Sequence, residues 1–170
     1  MEDSIAMWNS KKQSLGIAAD HAGFALKQYL LLRLQEDGYE VKDFGNSSYK
    51  DDDNFPEYVL PLARSVSKGE IDKAIAICGS GVGASIAANK IENVRACLIH
   101  ETFSARQGVE DDDMNMICLG GRVIGHLYAW ELVSVFLSAT FIKLERHVKR
   151  LEEISEAEKS LIQNQLKREV

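Results

Sequence analysis

The chain lacks the features that mark several large classes of protein. Its 170 residues include two prolines and three cysteines, and no stretch approaches the roughly 20 apolar residues that a membrane-spanning helix needs. No membrane association is expected. Basic residues number 20 against 26 acidic ones, a formal net charge of −6. That balance argues against a nucleic-acid binder, which needs a concentrated positive surface to meet phosphates; a local cationic pocket for a small anion stays open. Cys78, Cys97 and Cys118 form no close pair with zinc-knuckle or redox spacing. An odd number of thiols in a domain this size points to reduced cysteines and a cytoplasmic setting. Residues 1–14 carry both charge signs and no apolar run, so they do not read as a signal peptide. They read as a flexible extension, with Trp8 a candidate for docking on the body. The acidic runs Asp51–Asp53 and Asp111–Asp113 have no calcium-loop spacing, and no metal site is expected.

What is present is an alternation. Leu15–Ala19 is a short apolar run ending at Asp20-His21-Ala22-Gly23. Phe24, Leu26, Tyr29, Leu30 and Leu34 then recur at helical spacing until Asp37-Gly38. Tyr39–Phe44 is strand-like, and Pro56 suits the first turn of a helix running to about Lys68. Ile71–Ile77, Val94–Ile99 and Met116–Leu119 read as further strands, with helices near Val82–Lys90, Thr102–Glu110 and Gly125–Ala139. Five apolar strands separated by helices imply a parallel sheet covered on both faces. The expected architecture is a Rossmann-like three-layer α/β/α sandwich with a five-stranded parallel sheet, spanning residues 15–143. Residues 144–170 read as a long C-terminal helix and tail. Its apolar residues 144, 148, 151, 154 and 161 form a stripe expected to pack on a partner subunit.

In such sheets ligands bind at the carboxyl ends of the strands, and Asp20, Cys78, His100 and Gly120–Arg122 all fall there. The sharpest segment runs Cys78-Gly-Ser-Gly-Val-Gly-Ala-Ser-Ile-Ala-Ala-Asn-Lys90: a strand ends at a cysteine, three glycines alternate, and a helix begins. Successive backbone N–H groups in such a turn point inward, and the helix dipole adds positive potential. The loop Gly79, Ser80, Gly81, Val82 and Gly83 is thus suited to an anion. The spacing is neither that of a Walker loop nor that of a dinucleotide fingerprint. A glycine loop is also an ordinary tight turn, and cysteine is also an ordinary core residue. Cys97 and Cys118 fit the latter reading. Cys78 differs because it meets the loop at the sheet's carboxyl edge, where a thiolate can be stabilised.

The Cys78–Lys90 run, together with Ala19-Asp-His-Ala-Gly-Phe24, Leu119-Gly-Gly-Arg-Val-Ile-Gly125 and Arg146-His-Val-Lys-Arg150, resembles the type B ribose-5-phosphate isomerases and their galactose-6-phosphate isomerase relatives over residues 15–155. The resemblance implies a cofactor-free aldose–ketose isomerase that moves a proton between C2 and C1 of an open-chain sugar phosphate through a cis-enediolate. Cys78 would be the base. The loop alone suggests a phosphate cradle. The resemblance instead assigns it to the enediolate, with Ser80 adding a hydroxyl contact, and gives the phosphate to His21, Arg122, Arg146 and Arg150. Arg146 and Arg150, at i and i+4, share one helix face; arginine-rich terminal helices are also commonly just solvated. Asp20, Asp112 and Asn115 would contact the sugar, though a strand-end Asp is often a helix cap. Relatives form homodimers, or dimers of dimers, whose sites are completed by the partner's 111–122 region. Ribose 5-phosphate is the expected substrate. A hexose 6-phosphate such as allose or galactose 6-phosphate is the same-class alternative, and a non-catalytic sugar-phosphate-binding protein the different-class one.

Two departures from the family pattern stand out. Asp111 and Asp112 occupy positions where relatives carry His-Asn, and that histidine is the acid that opens the sugar ring. An ordinary Asp, with a pKa near 3.9, lies roughly two to three units below histidine, so Asp111 would act only with a raised pKa. Otherwise ring opening falls to His100, water or spontaneous exchange. Asn54-Phe55-Pro56 stands where relatives have Asp-Tyr-Pro, keeping the aromatic wall without its hydroxyl.

Overall fold

The computed structural model describes residues 13–166, with side chains through residue 160. Trp8 and the remainder of segment 1–12 lie outside the described residues, as does the side chain at position 161. In chain order the elements are β1 (Leu15–Ala19), α1 (Phe24–Glu36), β2 (Val41–Asp43), α2 (Phe55–Ser67), β3 (Lys73–Cys78), α3 (Val82–Ala88), β4 (Ala96–Leu98), α4 (Thr102–Asp112), β5 (Met116–Gly120), α5 (His126–Ser138) and α6 (Glu145–Leu166). The five strands pair in parallel in the order β2-β1-β3-β5-β4. The chain thus steps one way from β1 to β2 and the other way to β3 and edge strand β4, then returns to place β5 between those two.

Strand alternation divides the core in two. Leu15, Ile17, Ala19, Ile75, Ile77, Ile117 and Leu119 face α1, α4 and α5. Ala18, Ala74, Ala76, Cys78, Met116 and Cys118 face α2 and α3. The three central strands are buried at every residue, which is why they read as unbroken apolar runs. Small residues dominate the second face, and α2 and α3 approach it closely. Strands β2 and β4 are shorter than their apolar runs because they lie at the sheet edges with one neighbour each.

That placement corrects the reading of Cys97, which is exposed on edge strand β4, whereas Cys118 is buried. The outer edge of β4 is taken by a side chain. Asn89 Oδ1 accepts from Ala96 N–H at 2.9 Å and Asn89 Nδ2 donates to Ala96 O at 2.7 Å. Among the described residues, two lysines are buried. Lys27 Nζ donates to both Asp43 carboxylate oxygens, at 2.8 and 2.6 Å, and to Asn46 O. Lys73 Nζ donates to Phe136 O at 2.6 Å and Ala139 O at 2.7 Å, closing carbonyls at the end of α5 that have no intrahelical partner.

Helix α6 begins against its own chain. His147, 1% exposed, points Nδ1 at Ile142 O (2.9 Å) and lies 3.7 Å from Asp111 Oδ1. Further along, Glu158 accepts from Asn93 N–H. Between α6 and the β4–α4 edge runs a groove of about 560 Å³, lined in part by Cys97, Met114, Leu151 and Ile154. Leu144 and Ile154 of the apolar stripe are exposed within the single chain.

Candidate active site

Three loops meet at the carboxyl edge of the sheet, above β1, β3 and β5. After β1, Asp20 is buried, and its Oδ1 accepts from Gly23 N–H at 3.1 Å. Gly23, not Asp20, is the residue at the N-cap of α1, so Asp20 ties the turn before the helix without capping it. Burial raises its carboxyl above the ordinary value, against the lowering effect of the Gly23 bond. His21 follows, its backbone N–H and Nδ1 both directed at Asp53.

After β3 comes Cys78, 5% exposed, so the thiol sits at the floor of the loop rather than on its rim. Gly81 N–H donates to Cys78 Sγ at 3.2 Å, which fixes the sulfur beneath the turn. Gly81 has φ +82°, and a Cβ there would meet Leu98 Cδ1 at 2.5 Å and the Leu119 carbonyl carbon at 2.9 Å. Only glycine makes this turn against β5. The ring of Phe55 lies over Gly83, where a Cβ would come within 2.7 Å of Cζ, so the aromatic wall inferred from Asn54-Phe55-Pro56 borders the loop. Ser80 is exposed at its tip.

After β5, Gly121 N–H donates to Cys78 O at 2.8 Å and Arg122 N–H to Gly79 O at 3.0 Å. The Gly121 Cα packs on the Ala22–Gly23 backbone so closely that a Cβ would meet Ala22 O at 2.5 Å. Backbone contact thus locks the three loops together, bringing Asp20, His21, Cys78, the loop Gly79–Gly83 and Arg122 to one place.

The other sequence-predicted residues lie elsewhere. Helix α4 runs back from the carboxyl end of β4 to the amino end of β5, so Asp111, Asp112 and Asn115 sit at the opposite edge of the sheet. Five residues of strand, about 16 Å at roughly 3.3 Å per residue, separate the two ends. Asp111 accepts from Gln107 Nε2 at 3.0 Å and faces His147. Asn115 joins the starts of β4 and β5, accepting from Arg95 N–H and donating to Asn93 O. Arg146 is exposed at the start of α6 and its Nε donates to His147 Nε2 at 3.0 Å; Arg150 is exposed one turn on. Of the 111–122 stretch, residues 111–115 therefore lie far from Cys78 of the same chain, while Arg122 lies beside it. His100 is exposed after β4. Among the described residues no group of three or more His, Cys, Asp or Glu side chains converges as a metal site, and no helix is long and apolar enough to cross a membrane.

Sequence reasoning missed Asp53. Its carboxylate is 2% exposed within a run that reads as solvated, and nothing in the spacing separates it from Asp51 and Asp52.

A doubly wound α/β fold with a cysteine under a glycine loop at its switch point places a site for a small ligand at the carboxyl edge of the sheet. Residues 15–154 match the model of the Ribose/Galactose Isomerase family, and the chain belongs to that family. It is 38% identical over 146 residues to ribose-5-phosphate isomerase B of Escherichia coli strain K12, covering 86% of this chain and 97% of that protein. Ribose-5-phosphate isomerase B of Clostridium thermocellum superposes with a TM-score of 0.84 at 39% identity, covering 88% of this chain and 99% of that one. The enzyme from Mycoplasma genitalium, solved with bound ribulose-5-phosphate, superposes with a TM-score of 0.82 at 33% identity, covering 86% and 96%.

Proposed function

We propose that the chain is an aldose–ketose isomerase interconverting ribose 5-phosphate and ribulose 5-phosphate. The observation that carries this reading is the seat of Cys78 Sγ directly beneath the Gly79–Gly83 turn, 3.2 Å from Gly81 N, in a chain similar to a protein solved with the ketose product. Cys78 takes the proton from C2 of the open-chain aldose, and the electron pair passes to the C1 carbonyl oxygen. The backbone amides of Gly79, Ser80, Gly81, Val82 and Gly83 meet the resulting enediolate as an oxyanion hole, and Ser80 adds its hydroxyl. Return of the proton to C1, with the O2 hydroxyl proton passing to O1, gives the ketose. Asp20 holds a sugar hydroxyl, while His21 and Arg122 reach the phosphate. No cofactor enters, since only protons move.

Asp111, Asp112, Asn115, Arg146 and Arg150 join this site from a second copy of the chain in a two-fold homodimer. Three observations support that arrangement. The two groups of residues occupy opposite edges of one sheet, and Val82, Phe103, Val123 and Leu127, on or next to elements that start at the carboxyl edge, are exposed apolar residues suited to a covering partner. Arg146, in the first turn of α6, sits where the helix dipole is already positive, a costly place for a cation that a phosphate would relieve. A cytoplasmic setting fits a reduced Cys78.

Turnover of ribose 5-phosphate beside a panel of hexose 6-phosphates, with and without chelator, tests the substrate. The pentose is expected to dominate and the chelator to have no effect. Cys78→Ala should abolish isomerisation yet still bind ribose 5-phosphate. Turnover surviving that change would remove the cysteine from the mechanism, and wild-type binding without turnover of any sugar would make the protein a sugar-phosphate binder.

A further inference from the structure

Asp53 is a buried carboxylate in a surface loop, and its hydrogen-bonding capacity is used by one cluster. Oδ1 accepts from His21 N–H at 2.7 Å and faces His21 Nδ1 at 2.9 Å. Oδ2 accepts from Asn46 Nδ2 at 2.5 Å, and the Tyr58 hydroxyl bonds the same group. These partners come from three elements, the β1 turn, the segment after β2 and the first turns of α2. The His21 side chain itself is 24% exposed.

The tautomer decides what His21 can do. With Nδ1 engaged as donor to a carboxylate, a neutral ring presents a bare lone pair at Nε2, which repels a phosphate oxygen; only the imidazolium donates there. We infer that Asp53 is the positioning residue of the phosphate site: it fixes the His21 ring through Nδ1 and the backbone N–H, and its charge keeps Nε2 a donor at working pH. This rests on the reading of His21 as a phosphate contact. The Asp53 bond raises His21 above its ordinary value of 6.5 despite some opposing desolvation, with Asp20 adding in the same direction. Burial of Asp53 would raise its carboxyl, but the bonds from His21, Asn46 and Tyr58 hold it below the usual range. The charged and titratable groups around His21 include Asp53, Asp20 and, beyond Asp53, Tyr58 and the Tyr49–Asp51 pair, with Arg122 across the Gly79 backbone.

Asp53→Asn keeps an oxygen for both His21 donors and removes the charge. The chain has four histidines, so ring titration by NMR is resolvable in the full-length protein. The wild-type His21 midpoint should lie above 6.5 and fall in the variant. At pH 8 a ring of ordinary pKa is only about 3% protonated. The variant's KM for ribose 5-phosphate should therefore rise on the order of tenfold at pH 8, change little at pH 6, and leave kcat within about twofold. In a His21→Asn background the same change should add nothing.

An equal KM rise at both pH values, a fall in kcat at constant KM, or an effect that persists without His21 would overturn the inference. So would a wild-type midpoint at or below 6.5, which decides the matter even where the variant fails to fold. If the wild type turns over no sugar phosphate, the isomerase reading fails by itself. The midpoints and the dissociation constant of inorganic phosphate at pH 6 and 8 then still test Asp53.

Discussion

Mixing two inactive variants tests whether each site is shared between chains. One parent carries Cys78→Ala, the other Arg146→Gln with Arg150→Gln. Each lost charge-assisted phosphate bond is worth about 1.5–3 kcal/mol, so the second parent should fall by roughly a hundredfold or more. In a two-fold dimer each site would take Cys78 from one chain and the arginines from its partner. Random exchange at equal amounts makes about half the dimers mixed. In a mixed dimer one site carries both lesions and the other carries neither. Co-refolded protein should therefore recover about one quarter of wild-type turnover, with the mixed species confirmed by native mass spectrometry. The arithmetic follows from the placement of Cys78 at the carboxyl end of β3 and of Asp111, His147 and Arg146 around the other end of the sheet. Turnover equal to the sum of the two parents, with mixed dimers present, would show that each chain builds its own site and would refute the reasoning.

Gly83→Ala places a methyl 2.7 Å from Phe55 Cζ and 2.9 Å from Cε1; urea melts should show a loss of about 1–3 kcal/mol from overpacking, largely recovered by adding Phe55→Leu, and a stable Gly83→Ala protein would contradict the contact. Burial pushes the Lys73 ammonium down from 10.5 to about 8, so between those pH values the unfolded chain holds a proton that the folded chain has released, and stability rises with pH through that window. Subtracting the profile of Lys73→Met from that of the wild type should isolate a rise of up to about 3 kcal/mol between pH 7.5 and 10.5, and a flat difference would show that the carbonyls of α5 fully offset the burial.

Most of the fold could be read from the chain because its signals are local. A run such as Ile75-Ala76-Ile77 ending at Cys78-Gly79 announces a buried strand and a turn without reference to anything distant. The Cys78–Gly83 site was legible for the same reason, its parts lying within six residues. Strand order is not local, and with it went Cys97: its run looks as apolar as that of Cys118, and only pairing shows that β4 has a neighbour on one side alone. Asp53 escaped because its partner His21 lies 32 residues away and the two residues before it are identical to it in type. Asp111 could be marked as a departure, but His147, buried 3.7 Å from it, is 36 positions along the chain. Its part in orienting Arg146 through Nε2 exists only once α6 folds back on α4.

The amide of Asn89 does for β4 what a sixth strand would do. It offers one acceptor and one donor to the outward-turned backbone groups of Ala96. An open edge on a parallel sheet is an invitation to sideways growth, by which copies add strand to strand without limit. Here one side chain of the same chain blocks that pairing at Ala96. A strand approaching along β4 would have to displace the Asn89 amide from Ala96 before it could pair.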